Sequence, residues 1–133
     1  MKYLLTLLFT TLITLPLQAQ ISEDIKNLQP MEDYENIHVQ KIYSDSNGTG
    51  FVIWVKKSVK AHKHETHTEH LYVIEGEGEM QIGTKDYMIK PGDYLVIPEN
   101  TVHSLKVTSS NVVKVLSIQT PEFLGKDRVF VED

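Results

Sequence analysis

Between Ile37 and Ile118 the sequence breaks into short apolar runs at near-regular spacing, and this pattern restricts the fold more than any other feature. The runs IHVQKIY, FVIWVKK, LYVIE, EMQIG, YMIKP, YLVIP, VHSLKV and VVKVLSI are rich in Val, Ile and Tyr. Turn signals separate them: Asn47-Gly48, Glu75-Gly76, Gly83-Thr84, Pro91-Gly92-Asp93, Glu99-Asn100 and Ser109-Ser110-Asn111. Strand-sized runs punctuated by Gly, Pro, Asn and Asp, with no sustained helical period, predict an all-β sandwich or barrel. No repeat or low-complexity tract interrupts the series. The tail TPEFLGKDRVFVED offers one more strand, through Val129 to Val131, able to close a sheet.

The ends differ in kind from this region. Residues 1–19, MKYLLTLLFTTLITLPLQA, carry a positive start at Lys2, an apolar run from Tyr3 to Leu15 and a break at Pro16. That layout reads as a secretory signal peptide cut near Ala19, and the expected location is secreted or periplasmic. The run is too short for a stable membrane anchor, which needs about 20 apolar residues. Residues 20–36 read as a polar arm in which Ser22 caps a short helix, EDIKNL, ending before Pro30. Residues 37–120 read as the barrel, and residues 121–133 as a C-terminal extension packing on it. Cleavage would remove one lysine and move the net charge from -5 to roughly -6. A moderately acidic domain without a basic cluster repels nucleic acid. The absence of cysteine excludes disulfides and thiolate-bound zinc, so the core alone must hold the fold.

Four of the six histidines, His62, His64, His67 and His70, stand within one short stretch, AHKHETHTEH. His62 and His64 are two apart and on an extended strand would share a face. Glu69 has the parity of Leu71 and Val73, which turns its carboxylate inward, whereas His70 joins Tyr72 on the outer face. A carboxylate aimed into an apolar interior is costly unless it is paired or holds a metal. His103 shares parity with Leu105 and Val107 and also aims inward. Imidazoles with one carboxylate suit Mn, Fe, Co, Ni, Cu or Zn better than Ca or Mg.

The spacing of these residues resembles that of the cupin superfamily, small jelly-roll barrels (double-stranded β-helices) that hold one metal. The first cupin motif corresponds to His62-Lys63-His64, four residues, Glu69, six residues and Gly76. The second corresponds to Gly92, five residues, Pro98-Glu99-Asn100, two residues and His103. Lys56 stands where the first motif opens with Gly, Asn100 where the second has its inner Gly, and Val107 where it ends in Asn. Asn accepts a left-handed turn better than other non-glycine residues, so Asn100 is expected to keep the bend. The resemblance implies a jelly roll, a homodimer, and one divalent transition metal held by His62, His64, Glu69 and His103. For His67 three readings stand open: it replaces Glu69, supports a ligand from behind, or lies at the barrel mouth.

The resemblance also implies an enzyme of dioxygenase, isomerase or lyase type acting on a small oxygen-rich substrate. Glu69 and His67 are then the candidate acid/base groups. Outside the cell Mn, Ni or Zn would be held more safely than Fe(II). The alternatives are a non-catalytic, metal-dependent binding protein for a sugar or small anion, and a purely structural metal site. Elsewhere, His38 reads as a half-exposed strand residue. Phe51, Trp54, Tyr72, Tyr87 and Tyr94 read as core or sheet surface, and Glu75, Glu77 and Glu79 as a solvated rim.

Overall fold

In the computed structural model, which describes residues 24–131, ten strands follow one another: β1 (Ile37–Asp45), β2 (Gly48–Val55), β3 (Ser58–His64), β4 (Thr68–Glu75), β5 (Gly78–Ile82), β6 (Lys85–Ile89), β7 (Tyr94–Ile97), β8 (His103–Val107), β9 (Val113–Thr120) and β10 (Arg128–Phe130). The signal-peptide reading and Ser22 lie outside the described residues. Two five-stranded sheets result, ordered β1-β2-β9-β4-β7 and β10-β3-β8-β5-β6. Their paired strands are antiparallel, and together they make the expected all-β jelly roll.

Each apolar run became a strand because its alternate residues fill the space between the sheets. Val55, Leu71, Val73, Met80, Ile89, Ile97, Leu105, Val113 and Val115 form one buried cluster. Tyr72 and Tyr94, cross-strand partners on β4 and β7, lie on the exposed face. The turns use the residues that the backbone demands. Gly76, Gly83 and Gly92 have positive φ, and so does Asn100, at 60°. Asn100 therefore keeps the bend where the related motif has Gly. It also donates from its backbone N to the His64 carbonyl (2.6 Å) and from Nδ2 to the Glu65 carbonyl (3.1 Å), fastening this turn to the end of β3.

Two expectations change. Among the described residues no helix forms; Ile25–Asn27 make only a turn, and the Asp24 carboxylate accepts from the Asn27 backbone N at 3.3 Å. His38 is buried, because the arm covers the outer face of the first sheet. There His38, Trp54, Lys114 and Glu75 form one cross-strand row. The Tyr34 ring lies over His38, and the Lys114 ammonium donates to the Lys26 and Leu28 carbonyls at 2.7 and 2.8 Å. A fully buried lysine is tolerable only with such partners, and Glu75, 3.5 Å away, supplies the counter-charge.

Candidate metal centre

The strand carrying His62 and His64 was the least strand-like in sequence, and its local geometry explains how it works. β3 pairs with β8 as Val59 opposite Leu105, then His62 opposite His103, with a register irregularity between the two pairs. Three positions on β3 therefore span two on β8, the signature of a β-bulge. Shifting a strand by one residue exchanges its two faces. The bulge thereby turns the even positions inward, so that His62 and His64 are buried and Lys63 is not.

The three imidazoles of His62, His64 and His103 are buried, and one nitrogen from each lies within 4.8 Å of the others. His62 and His103 face each other across the sheet with ring centroids 4.1 Å apart. Their Nδ1 atoms are taken up by backbone carbonyls, Lys60 O at 2.8 Å and Thr101 O at 3.0 Å. A carbonyl only accepts, so each Nδ1 carries the proton and each Nε2 presents a lone pair. The Nδ1 of His64 lies 3.3 Å from the Asp127 carboxylate, a close electrostatic contact without hydrogen-bond geometry. The Nε2 atoms of His64 and His103 have no hydrogen-bond partner although they are buried.

Glu69, on β4, points inward as its parity with Leu71 and Val73 predicts, and its two oxygens have different tasks. Oε1 accepts from Ser117 Oγ at 2.5 Å and from Gln119 Nε2 at 3.4 Å. Oε2 lies 3.6 Å from His64 Nε2 and 3.3 Å from His103 Nε2. Burial raises the Glu69 carboxyl pKa; positive charge carried by His103 and His64, with the Ser117 hydroxyl, outweighs it and holds the group well below its ordinary value, and a cation among neutral rings would act in the same direction. Burial, helped by His103, lowers His62 to about 4, so its ring is neutral at physiological pH. Lone pairs converging on a carboxylate repel one another unless a cation sits among them. This donor set therefore fits a divalent transition ion, with the three histidines able to hold it.

His67 stands beside this cluster, buried, with both ring nitrogens occupied. Nδ1 meets the Asp127 carboxylate, and Nε2 lies 2.9 Å from the Glu122 carbonyl. Burial opposes its charge, yet these two acceptors raise its pKa above the ordinary value. Asp127 is itself lowered: burial works against its charge, and the hydrogen bonds from His67 and Thr66 prevail. His70 remains outside, bonded through Nδ1 to the Tyr94 hydroxyl at 2.6 Å.

Residues that the sequence reading passed over surround the cluster. Ser117 and Gln119 had a legible signal, since they continue the inward parity of Val113 and Val115 on β9. Asp127, Thr66 and Phe123 had none. The Phe123 ring packs edge-on against His64 and His67, 6.3 and 5.6 Å between centroids.

Comparison with known proteins agrees with this geometry. Residues 51–119 match the family described as "Cupin domain". An uncharacterised protein of Aquifex aeolicus is 35% identical over 98 residues, covering 74% of this chain and 80% of that protein. Quercetin 2,3-dioxygenase of Bacillus subtilis is 38% identical over 60 residues, which are 45% of this chain but only 18% of the dioxygenase. Among solved structures, a Klebsiella pneumoniae protein with a double-stranded β-helix domain superposes with a TM-score of 0.72 at 16% identity, covering 87% of this chain and all of that one. With both motifs in place on two five-stranded sheets and the family match spanning half its length, the chain belongs to the cupins.

Proposed function

We propose that the chain is an exported cupin enzyme that binds one divalent transition metal through His62, His64, His103 and Glu69 and acts on a small oxygen-rich substrate. The observation that carries the reading is the pair of buried Nε2 atoms, of His64 and His103, that lie beside the Glu69 carboxylate without a hydrogen-bond partner. Bound there, the ion would supply Lewis acidity toward a substrate oxygen. The chain's own residues orient and protect the centre. Lys60 and Thr101 carbonyls fix two imidazole tautomers, and Ser117 holds one oxygen of Glu69 so that the other faces the histidines. Core residues Leu71, Leu105 and Val115 keep water from one side. His67, with both nitrogens engaged, positions His64 through their shared Asp127 and is not placed to move a proton to a substrate. The dioxygenase name of one relative favours catalysis over mere binding.

Groups behind metal ligands matter about as much as the ligands: their loss typically weakens metal binding about 10- to 100-fold. Ser117→Ala is therefore expected to weaken zinc or manganese binding about 10- to 100-fold in a competition titration, with an unchanged far-UV circular dichroism spectrum. Catalysis is tested by incubating substoichiometric metal-loaded protein with a panel of small oxo acids, diketones and sugars. Product in excess of protein, found by mass spectrometry, supports the enzyme; a retained, unchanged ligand supports the binding-protein reading instead. Export rests on residues 1–19, and an intact mass showing their loss from protein recovered outside the cytoplasm checks it. A full-length mass there contradicts cleavage.

A further inference from the structure

The cavity beside the histidine cluster is lined mainly by apolar side chains. Val55, Leu71, Leu105 and Val115 are among its walls; His62, Glu69 and His103 line it too, and so does the exposed Arg128. Arg128 is the single arginine among 13 basic residues. The register of β10 determines its aim. Arg128 is the cross-strand partner of His64 and Phe130 that of His62, so these two side chains share the histidines' face of the sheet. Among the described residues no carboxylate pairs with Arg128. Its neighbour Asp127 is committed to Thr66, His64 and His67. Asp127, Arg128 and Phe130 lie beyond residue 119, where the family match ends.

An unpaired guanidinium at the mouth of an apolar cavity is a fork for a carboxylate. The cavity size narrows the rest of the ligand. At about 60 Å³ it is less than half of the roughly 150 Å³ that an apolar cavity needs to hold benzene. A short aliphatic arm fits there, whereas a sugar ring would bury most of its hydroxyls against the apolar part of the wall. A phosphate dianion gathers several charged donors, and here there is one, in an acidic chain of net charge -5.

We propose that Arg128 is the substrate-binding residue of this centre, and that its ligand is a small monocarboxylate carrying a short aliphatic arm and a second oxygen. The carboxylate meets the guanidinium, the arm lies on the apolar wall, and the second oxygen faces the histidines. Only this last contact rests on the metal reading above.

Isothermal titration of the mature protein, zinc-loaded and metal-free, against butanoate, 2-oxobutanoate, butanamide and methyl phosphate tests it. Wild type is compared with Arg128→Gln and Arg128→Lys, and the metal content of each sample is measured. The zinc-loaded wild type should bind 2-oxobutanoate most tightly and butanamide least. Arg128→Gln should lose about tenfold or more on both carboxylates at unchanged metal content, and Arg128→Lys should recover part of it. Equal carboxylate binding by wild type and Arg128→Gln overturns the proposal. So does a wild type that binds neither carboxylate, or one that prefers methyl phosphate. A wild type that takes up no zinc contradicts the metal reading alone, because butanoate binding in the metal-free samples still reports on Arg128.

Discussion

Asp127→Ala is expected to destabilise the protein by about 3 kcal/mol and to weaken metal binding about 10- to 100-fold. The carboxylate is 7% exposed and gathers three elements of the chain. Oδ1 accepts from the Thr66 backbone N and from its hydroxyl, both at 2.8 Å, while Oδ2 meets His67 and stands 3.3 Å from His64 Nδ1. Removing it leaves a buried imidazolium without its counter-charge and frees the connection between β3 and β4. The His64 ring then loses the carboxylate that stands 3.3 Å from its Nδ1. Thr66→Val, which deletes only one of these hydrogen bonds, should cost about 1 kcal/mol. Urea unfolding of the metal-free proteins together with metal titration separates the two effects. An Asp127→Ala protein with wild-type stability and metal affinity would show that the tail clasp is ornamental.

Gly76→Ala should cost still more stability, about 3 to 5 kcal/mol, with no direct effect on any ligand. Gly76 has φ of 75°, where a side chain is strained, and the added Cβ would stand 2.3 Å from the Val112 carbonyl oxygen and 2.8 Å from Val113 Cα. These are backbone atoms beside a fully buried valine, so no side chain can move aside. The contrast with Gly92 is informative: its φ is also positive, at 95°, but nothing lies within 4 Å. Gly92→Ala should therefore cost only the conformational strain, about 1 kcal/mol. Equal losses in the two variants would mean that the close approach to Val112 is relieved at little cost.

The strands that face the core were legible because burial demands alternation. Leu71 and Val73 gave the inward direction of Glu69, and Leu105 gave that of His103. β3 was hardly legible, since SVKAHKH has few β-branched residues and its bulge breaks the alternation that a reader counts. Its histidines were found through chemistry and spacing instead. Residues contributed by the tail were beyond reach of local pattern. Asp127 reaches Thr66 across 61 positions, and Glu122 reaches His67 across 55, through a turn that the sequence does not specify. The burial of His38 likewise depended on where the arm lay. Ser117 and Gln119 continue the inward parity of Val113 and Val115 on β9, but they were passed over because a serine and a glutamine carry less chemical signal than a histidine.

The central claim is that the histidine cluster exists to hold a metal. Elemental mass spectrometry of the protein, purified without a histidine tag and reconstituted with candidate ions, tests it most directly. The account predicts about one equivalent of one transition metal in the wild type, and less than about a tenth in each of His62→Ala, Glu69→Ala and His103→Ala. Retained folding of these variants, read from circular dichroism, would tie the loss to the ligands. A wild type below about a tenth of an equivalent after reconstitution, or variants that keep their metal, would contradict the account.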